Sequence, residues 1–134
     1  MRTETIEIRT GGRATVHDLT GACASFLHGE HDGLLSVFVP HATAGLAILE
    51  TGAGSDEDLI TALDELLPRD GRWSHRHGSA GHGRDHVLPA FVAPSLTVPV
   101  VSGRMTLGTW QSVCLVDTNI DNAVREVRLS FLSG

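Results

Sequence analysis

Four histidines crowd one short stretch of this chain. The segment RDGRWSHRHGSAGHGRDH, residues 69–86, carries His75, His77, His82 and His86 of the chain's eight histidines. Neutral imidazole is a common metal ligand and titrates near neutral pH. Three imidazoles with a fourth position open would suit a catalytic zinc-type site. The spacing matches neither HExxH nor an EF-hand loop, so a merely solvated polar loop is the competing reading. A fifth histidine, His41, stands in VFVPHATAGLAI, directly after Pro40 at the end of an apolar run. There it is either a loop histidine bonded to backbone or a ligand or acid/base group facing a cleft. Glu50 closes the next apolar run. If the two runs pair as strands, Glu50 meets His41 only across a turn or a subunit boundary.

A second dense stretch is SGRMTLGTWQS, residues 102–112. Arg104 is a candidate clamp for a phosphate or carboxylate, because a guanidinium binds such groups with two parallel bonds. Its alternative is an exposed strand arginine. Gln111 is a second polar group in an apolar setting. Gly103 reads as a turn, Gly108 as a close-approach position in a strand, and Trp110 as core. Ser95, after Pro94, is either an anion donor or part of a turn.

What is missing also narrows the chemistry. All ten basic residues are arginine and there is no tyrosine. A lysine Schiff base, a Walker A lysine and a Ser-Lys dyad are therefore excluded. The net charge of -6 argues against a nucleic-acid binder, whose affinity comes from basic residues. HGSAG lacks the first glycine of a nucleophile elbow, and GAGSDE has Glu57 where a dinucleotide fingerprint needs its third glycine. Asp56, Glu57 and Asp58 read as first-turn carboxylates of a helix rather than a magnesium site. Cys23 and Cys114 form no CxxC and read as buried free thiols. The N-terminus has no signal-peptide pattern and no segment is apolar enough to cross a bilayer. A soluble, cytoplasmic protein is expected, with no membrane partner.

The elements that must hold these groups follow from periodicity. TETIEIRT alternates as a half-buried strand. TVHDLTGACASFLHG places Val16, Leu19, Cys23, Phe26 and Leu27 on one helical face, with Thr15 as cap and Gly29 as stop. GLLSVFVP and TAGLAILE read as strands with His41 at their junction. SDEDLITALDELLP is the clearest helix, with Ser55 as N-cap and Pro68 as its end. The histidine stretch has no apolar period and reads as a long loop. AFVAPSLTVPVVSG, RMTLGTWQSVCLVD and NAVREVRLSFLSG then supply late strands, with turns at Gly103 and DTNIDN. The expectation is one compact α+β domain over residues 1–134, mainly an antiparallel sheet with two principal helices packed against it.

Four blocks of the sequence also resemble the YjbQ family, whose members are also named secondary thiamine-phosphate synthases. HATAGLAILE resembles its His-Thr-Ser/Thr-Ala stretch running to a Glu, and SDEDLITALDELLP its acidic helix. GRDHVLPAFVAPSLTVPV is similar to its His block followed by a Thr-Ile/Val-Pro-Val strand. SGRMTLGTWQSVCLVD resembles its Asn-Gly-Arg-Leu-x-Leu-Gly-Thr-Trp-Gln signature. The resemblance implies a homotrimer acting on a small phosphorylated substrate: a pyrimidine diphosphate joins a thiazole phosphate and pyrophosphate leaves. A metal- or metabolite-binding trimer and a metal-dependent hydrolase are the alternatives. The resemblance further implies a divalent metal, zinc or magnesium, on His41, His75 and His86, with His77 and His82 as alternatives to His75. It assigns catalysis to His41, His86 and Glu50, and substrate binding to Arg104, Gln111, Ser95 and Thr43. Ala42 stands where the family has Thr, and Leu88 where a Lys commonly follows the third histidine.

Overall fold

The computed structural model describes residues 1–134. Two antiparallel sheets carry it. The first contains β1 (Arg2–Arg9), β3 (Gly33–Phe38), β5 (Ser95–Val101), the short β6 (Arg104–Met105) and β8 (Val124–Ser133), in the order β1-β8-β3-β5-β6. The second contains β2 (Thr15–Asp18), β4 (Gly45–Leu49) and β7 (Ser112–Asp117), in the order β2-β7-β4. The α+β expectation holds, with the antiparallel strands divided between two sheets.

Period-two alternation explains the sandwich. Leu35 and Val37 of β3, Val98 and Val100 of β5, and Val127, Leu129 and Phe131 of β8 turn inward. Val113 and Leu115 of β7 meet them from the second sheet. The next residue along, Val116, packs on the opposite side of β7 with Leu63 and Leu67 of the α2 helix (Ser55–Leu66) and its end. β7 is therefore buried on both faces, which is why VCLV is a continuous apolar run.

Several features differ from expectation. Residues 15–18 form β2 rather than the first turn of a helix, and the α1 helix covers only Thr20–Phe26. Val16 and His17 pair with Val116 and Leu115 of β7 instead of extending the helix. The Asp18 carboxylate then accepts the Thr20 N–H at 2.8 Å, so the chain turns into α1 there. The rest of the expected face holds: Leu19, Cys23, Phe26 and Leu27 are all in the core. Gly54, at φ 105, occupies the N-cap of α2, so Ser55 is the first helical residue and caps nothing. Both apolar runs around His41 are strands, but β3 and β4 lie in different sheets, so they do not pair. Trp110, expected in the core, is 72% exposed in an irregular stretch between β6 and β7. Gly108 lies in that stretch and not in a strand. Gly103 does turn the chain, with Ser102, between the paired Val101 and Arg104. Both cysteines are free and buried, as expected. No helix is long and apolar enough to cross a membrane.

One charged pair joins the two sheets. Arg125 of β8 donates through Nε to Asp117 Oδ2 at 2.7 Å and through Nη2 to Asp117 Oδ1 at 3.0 Å. Each side chain is 1% exposed. Thr10 donates its hydroxyl to the same carboxylate at 2.8 Å. Arg125 also reaches Thr43 Oγ1 at 2.9 Å. Removing one partner strands a buried charge, which costs about 3–5 kcal/mol, whereas an apolar pair of similar volume is often neutral. Urea unfolding should therefore show Asp117→Asn destabilised by about that amount, and Asp117→Leu/Arg125→Met destabilised by less.

Candidate functional site

The histidine-rich segment is not an open loop. Residues His82–His86 form a 3-10 turn that carries His82 and His86 to one side. The chain before it folds back so closely that a Cβ on Gly83 would stand 2.4 Å from Trp73 Cβ and 2.5 Å from the His75 carbonyl oxygen. Trp73 is fixed in turn by its indole N–H, which donates to the Pro68 carbonyl at 2.8 Å. Asp85, fully buried, accepts the Thr118 hydroxyl at 2.7 Å, and Arg69 Nη1 stands 3.2 Å from its other oxygen. Arg84, also buried, reaches the Leu67 carbonyl at the end of α2 and pairs with Asp64.

These contacts gather the imidazoles. His75, His82 and His86 each place a ring nitrogen within 4.8 Å of the others. His82 Nε2 and His86 Nε2 are 2.9 Å apart. The His75 ring stacks on His86 at 3.8 Å between centroids, and His77 packs against His75 at 4.0 Å. Around a tetrahedral zinc, with bonds of about 2.0–2.1 Å, ligand nitrogens sit about 3.3 Å apart. The observed spacing surrounds that value. His75 Nε2 is shielded from solvent and has no hydrogen-bond partner, an orphaned atom of the kind a metal satisfies. Burial, then the neighbouring His77 and His82, holds His75 below the usual imidazole range. Burial, then His75, His82 and His77, does the same to His86. Neutral imidazoles are the ligand form. The residues therefore fit a nitrogen-preferring divalent metal.

The cluster borders a cavity of about 270 Å³ that His75 and His82 share with Trp73 and Arg76. A larger groove, about 590 Å³, lies elsewhere, between α1 with the turn after it and the β5–β6 hairpin. Arg104 lines that groove with His28, Ser102 and Glu30. Glu30 is paired with Arg2 at 2.8 Å, while Arg104 is exposed and has no carboxylate partner.

The other expected site residues are spread out. His41 does not join the cluster in this chain; its Nε2 accepts the Glu126 N–H of β8 at 2.9 Å. Of the expected set of His41, His75 and His86, one protomer brings His75 and His86 together, with His82 as the third imidazole beside them. Thr43 is buried and binds Arg125 and Asn119, so its hydroxyl is engaged structurally. Gln111 closes its own turn by accepting the Gly108 N–H at 2.8 Å. Ser95 opens β5 on the exposed side, and Glu50 is half-buried just past β4. Two carboxylates beside the cluster, Asp85 and Asp121, are absent from the sequence reading. Asp85, three residues after His82, was open to notice from spacing; Asp121 belongs to a stretch legible only as a turn.

This arrangement defines a two-sheet α+β protein with a buried-edge histidine centre. The chain belongs to the YjbQ-like UPF0047 family, whose sequence profile matches residues 4–134. It is 61% identical to the UPF0047 protein Rv2556c of Mycobacterium tuberculosis over 134 residues, all of both chains. It is 34% identical to the UPF0047 protein YugU of Bacillus subtilis over 117 residues, covering 82% of this chain and 84% of that one. Among solved structures it is similar to the hypothetical protein APE1520 of Aeropyrum pernix, with a TM-score of 0.90 and 34% identity over the whole of both chains.

His41 gives the fold a pH dependence. Burial first, then the Arg125 guanidinium, lowers its pKa, against the opposing pull of Glu126 and Asp117. The folded state thus prefers neutral His41, whose Nε2 lone pair is already accepting an N–H. Below the unfolded value near 6.5 the unfolded chain binds more protons, so stability is full above about pH 6.5 and falls as pH drops toward the folded pKa. His75 and His86 act with the same sign. The urea midpoint of the wild type should fall between pH 7.5 and 5.5, and His41→Asn should reduce that fall without abolishing it. An equal fall in the variant would remove His41 from the account.

Proposed function

We propose that this chain is a divalent-metal-binding protein whose centre is His75, His82 and His86. The observation that carries this reading is the convergence of three imidazole nitrogens within 4.8 Å. The donor set chooses the metal. Imidazole suits zinc, whereas magnesium takes oxygen ligands. His75, His82 and His86 would hold the metal, and a zinc with only three protein ligands would supply Lewis acidity. The chain's own part is to hold neutral imidazoles, exclude water from His75 Nε2 and offer Arg76 at the cavity wall. A metal-dependent hydrolase is the catalytic form of this reading.

The thiamine-phosphate synthase reading has a different support. Arg104 carries an unpaired positive charge in the larger groove, as the leaving pyrophosphate would require. Arg104 and the histidines line separate cavities of one protomer, so this reading asks more of the molecule than metal binding does. Titration of the metal-free protein with zinc should show one site per chain. His82→Ala and His86→Ala should abolish tight binding, and His41→Ala should leave it intact. Loss in the His41 variant with retention in His82→Ala would overturn the ligand set. The zinc-loaded protein, given the two phosphorylated halves, should make thiamine phosphate if the transferase reading holds; no product removes that name.

A homotrimer belongs to the same proposal. The outward face of the first sheet is mixed, with one apolar patch at its end: Leu34 lies between Leu132 and Pro99, and Val101 is exposed beyond them, while Ser36, Thr97, Ser130 and Arg128 occupy the rest of the face near the exposed Phe38. Such a patch marks a contact surface. Two buried free thiols favour a reducing compartment such as the cytoplasm. Light scattering should give three times the 14.2 kDa chain mass, and Leu34→Arg/Phe38→Arg should lower it. A monomeric wild type would sink the trimer.

A further inference from the structure

The loop between β7 and β8 sends a carboxylate to the back of the histidine cluster. Asp121 Oδ2 lies 3.0 Å from His82 Nδ1, within ion-pair reach but off the line of an N–H bond, so the buried Nδ1 has no hydrogen-bond partner and Asp121 is the nearest group that could become one. The same oxygen accepts the Ser79 N–H at 3.1 Å and the Ser79 hydroxyl at 3.0 Å. Gly78, at φ +82, permits this closure: a Cβ there would stand 2.8 Å from Asp121 Oδ2 and 3.1 Å from the His82 ring. A second carboxylate oxygen, Asp85 Oδ2, is 3.6 Å from the same nitrogen, beyond hydrogen-bond reach. His82 itself is buried, with 7% of its side chain exposed.

His82 Nδ1 therefore faces two carboxylates. An ionised carboxylate only accepts, so attraction requires the proton on Nδ1. A neutral imidazole protonated at Nδ1 keeps its lone pair on Nε2. That Nε2 is the atom 2.9 Å from His86 Nε2, on the cluster side. The carboxylate at the back thus decides what the ring offers at the front. Carboxylates behind metal-ligating histidines act in this way in general, fixing tautomer and ring orientation.

We propose that Asp121 is the positioning residue of the centre: it holds His82 in the Nδ1–H tautomer and aims Nε2 at the point shared with His75 and His86. This rests on the metal reading and extends it to a residue that touches no metal. Asp121 also latches the loop, because Ser79 and His82 share one of its oxygens. Asp85 is the deeper wall, with its Oδ1 taken by Thr118 and Arg69.

Two readouts test the proposal, and one needs no metal. In long-range nitrogen–proton NMR of the metal-free protein at pH 8, wild-type His82 should be the Nδ1–H tautomer. Asp121→Ala should shift it to Nε2–H or a mixture, and Asp121→Asn, whose amide oxygen still accepts, should restore Nδ1–H. Zinc affinity against a competing chelator should fall about 10–100-fold in Asp121→Ala. Ser79→Ala removes the latching hydroxyl but keeps the carboxylate, so it should change affinity by about twofold or less. An unchanged tautomer in folded Asp121→Ala overturns the proposal while leaving the metal centre standing. A shifted tautomer in a protein whose wild type takes up no zinc supports the positioning role and overturns the metal reading instead. Equal losses in Ser79→Ala and Asp121→Ala, with the tautomer unchanged, would assign Asp121 to loop closure alone.

Discussion

Asp117 and Arg125 stand at the one place where both sheets, the N-terminal strand and the turn carrying His41 converge. Asp117 ends β7 of the second sheet, and Arg125 lies in β8 of the first. Thr10, just past β1, binds the carboxylate, and Thr43 binds the guanidinium through its hydroxyl. A buried ion pair of this kind adds little net stability, because desolvation offsets the attraction. Its effect is on register. A one-residue slip of β8 against β3 would turn every core side chain outward and would also strand two charges without partners. The apolar pattern and the ion pair therefore enforce the same alignment.

That alignment reaches the histidines through the six residues that follow Asp117. Asn119 donates its N–H to Asp117 and its side-chain amide to Thr43, fixing the start of the loop. Thr118 binds Asp85 through its hydroxyl and Arg69 through its carbonyl. Asp121 is held by an N–H to the Asn119 side chain and reaches His82. The cluster is thus supported by hydrogen bonds rather than by a core of its own. A Gly- and His-rich segment could not bury enough apolar surface to order itself. It is ordered in part because its buried charged residues find partners outside it: Arg69 and Asp85 in Thr118 of the β7–β8 loop, and Arg84 in Asp64 and the Leu67 carbonyl of α2.

Periodicity revealed the parts of the fold whose side chains face one environment per turn or pleat. β1 and β8 alternate cleanly, and α2 announces itself by its acidic first turn and Pro68. β2 was hidden because Val16 fits a helical face as well as a strand, and only pairing with β7 decides between them. Trp110 was misplaced because hydrophobicity does not state which side of a turn faces the core. Composition pointed to the segment in which His75, His82 and His86 cluster. It did not separate His82 from His41, because that choice depends on the 3-10 turn bringing His82 and His86 together while β8 takes up His41 Nε2. Asp121 was illegible for the same reason: its partner is 39 residues away, and nothing local marks it.

The two cavities have different electrostatic characters, and this limits what a single protomer can do. Around the histidines, burial first and then the neighbouring imidazoles disfavour protonation of His75 and His86. Around Arg104, the nearby carboxylate is already neutralised by Arg2, so a net positive charge faces the groove. One region gathers neutral nitrogen donors and the other an unpaired guanidinium. A substrate that used both would have to span them, or two copies of the chain would have to bring them together across an interface. Arg104 opens β6, the edge strand of the first sheet, so a second copy lying along that edge would reach the groove directly.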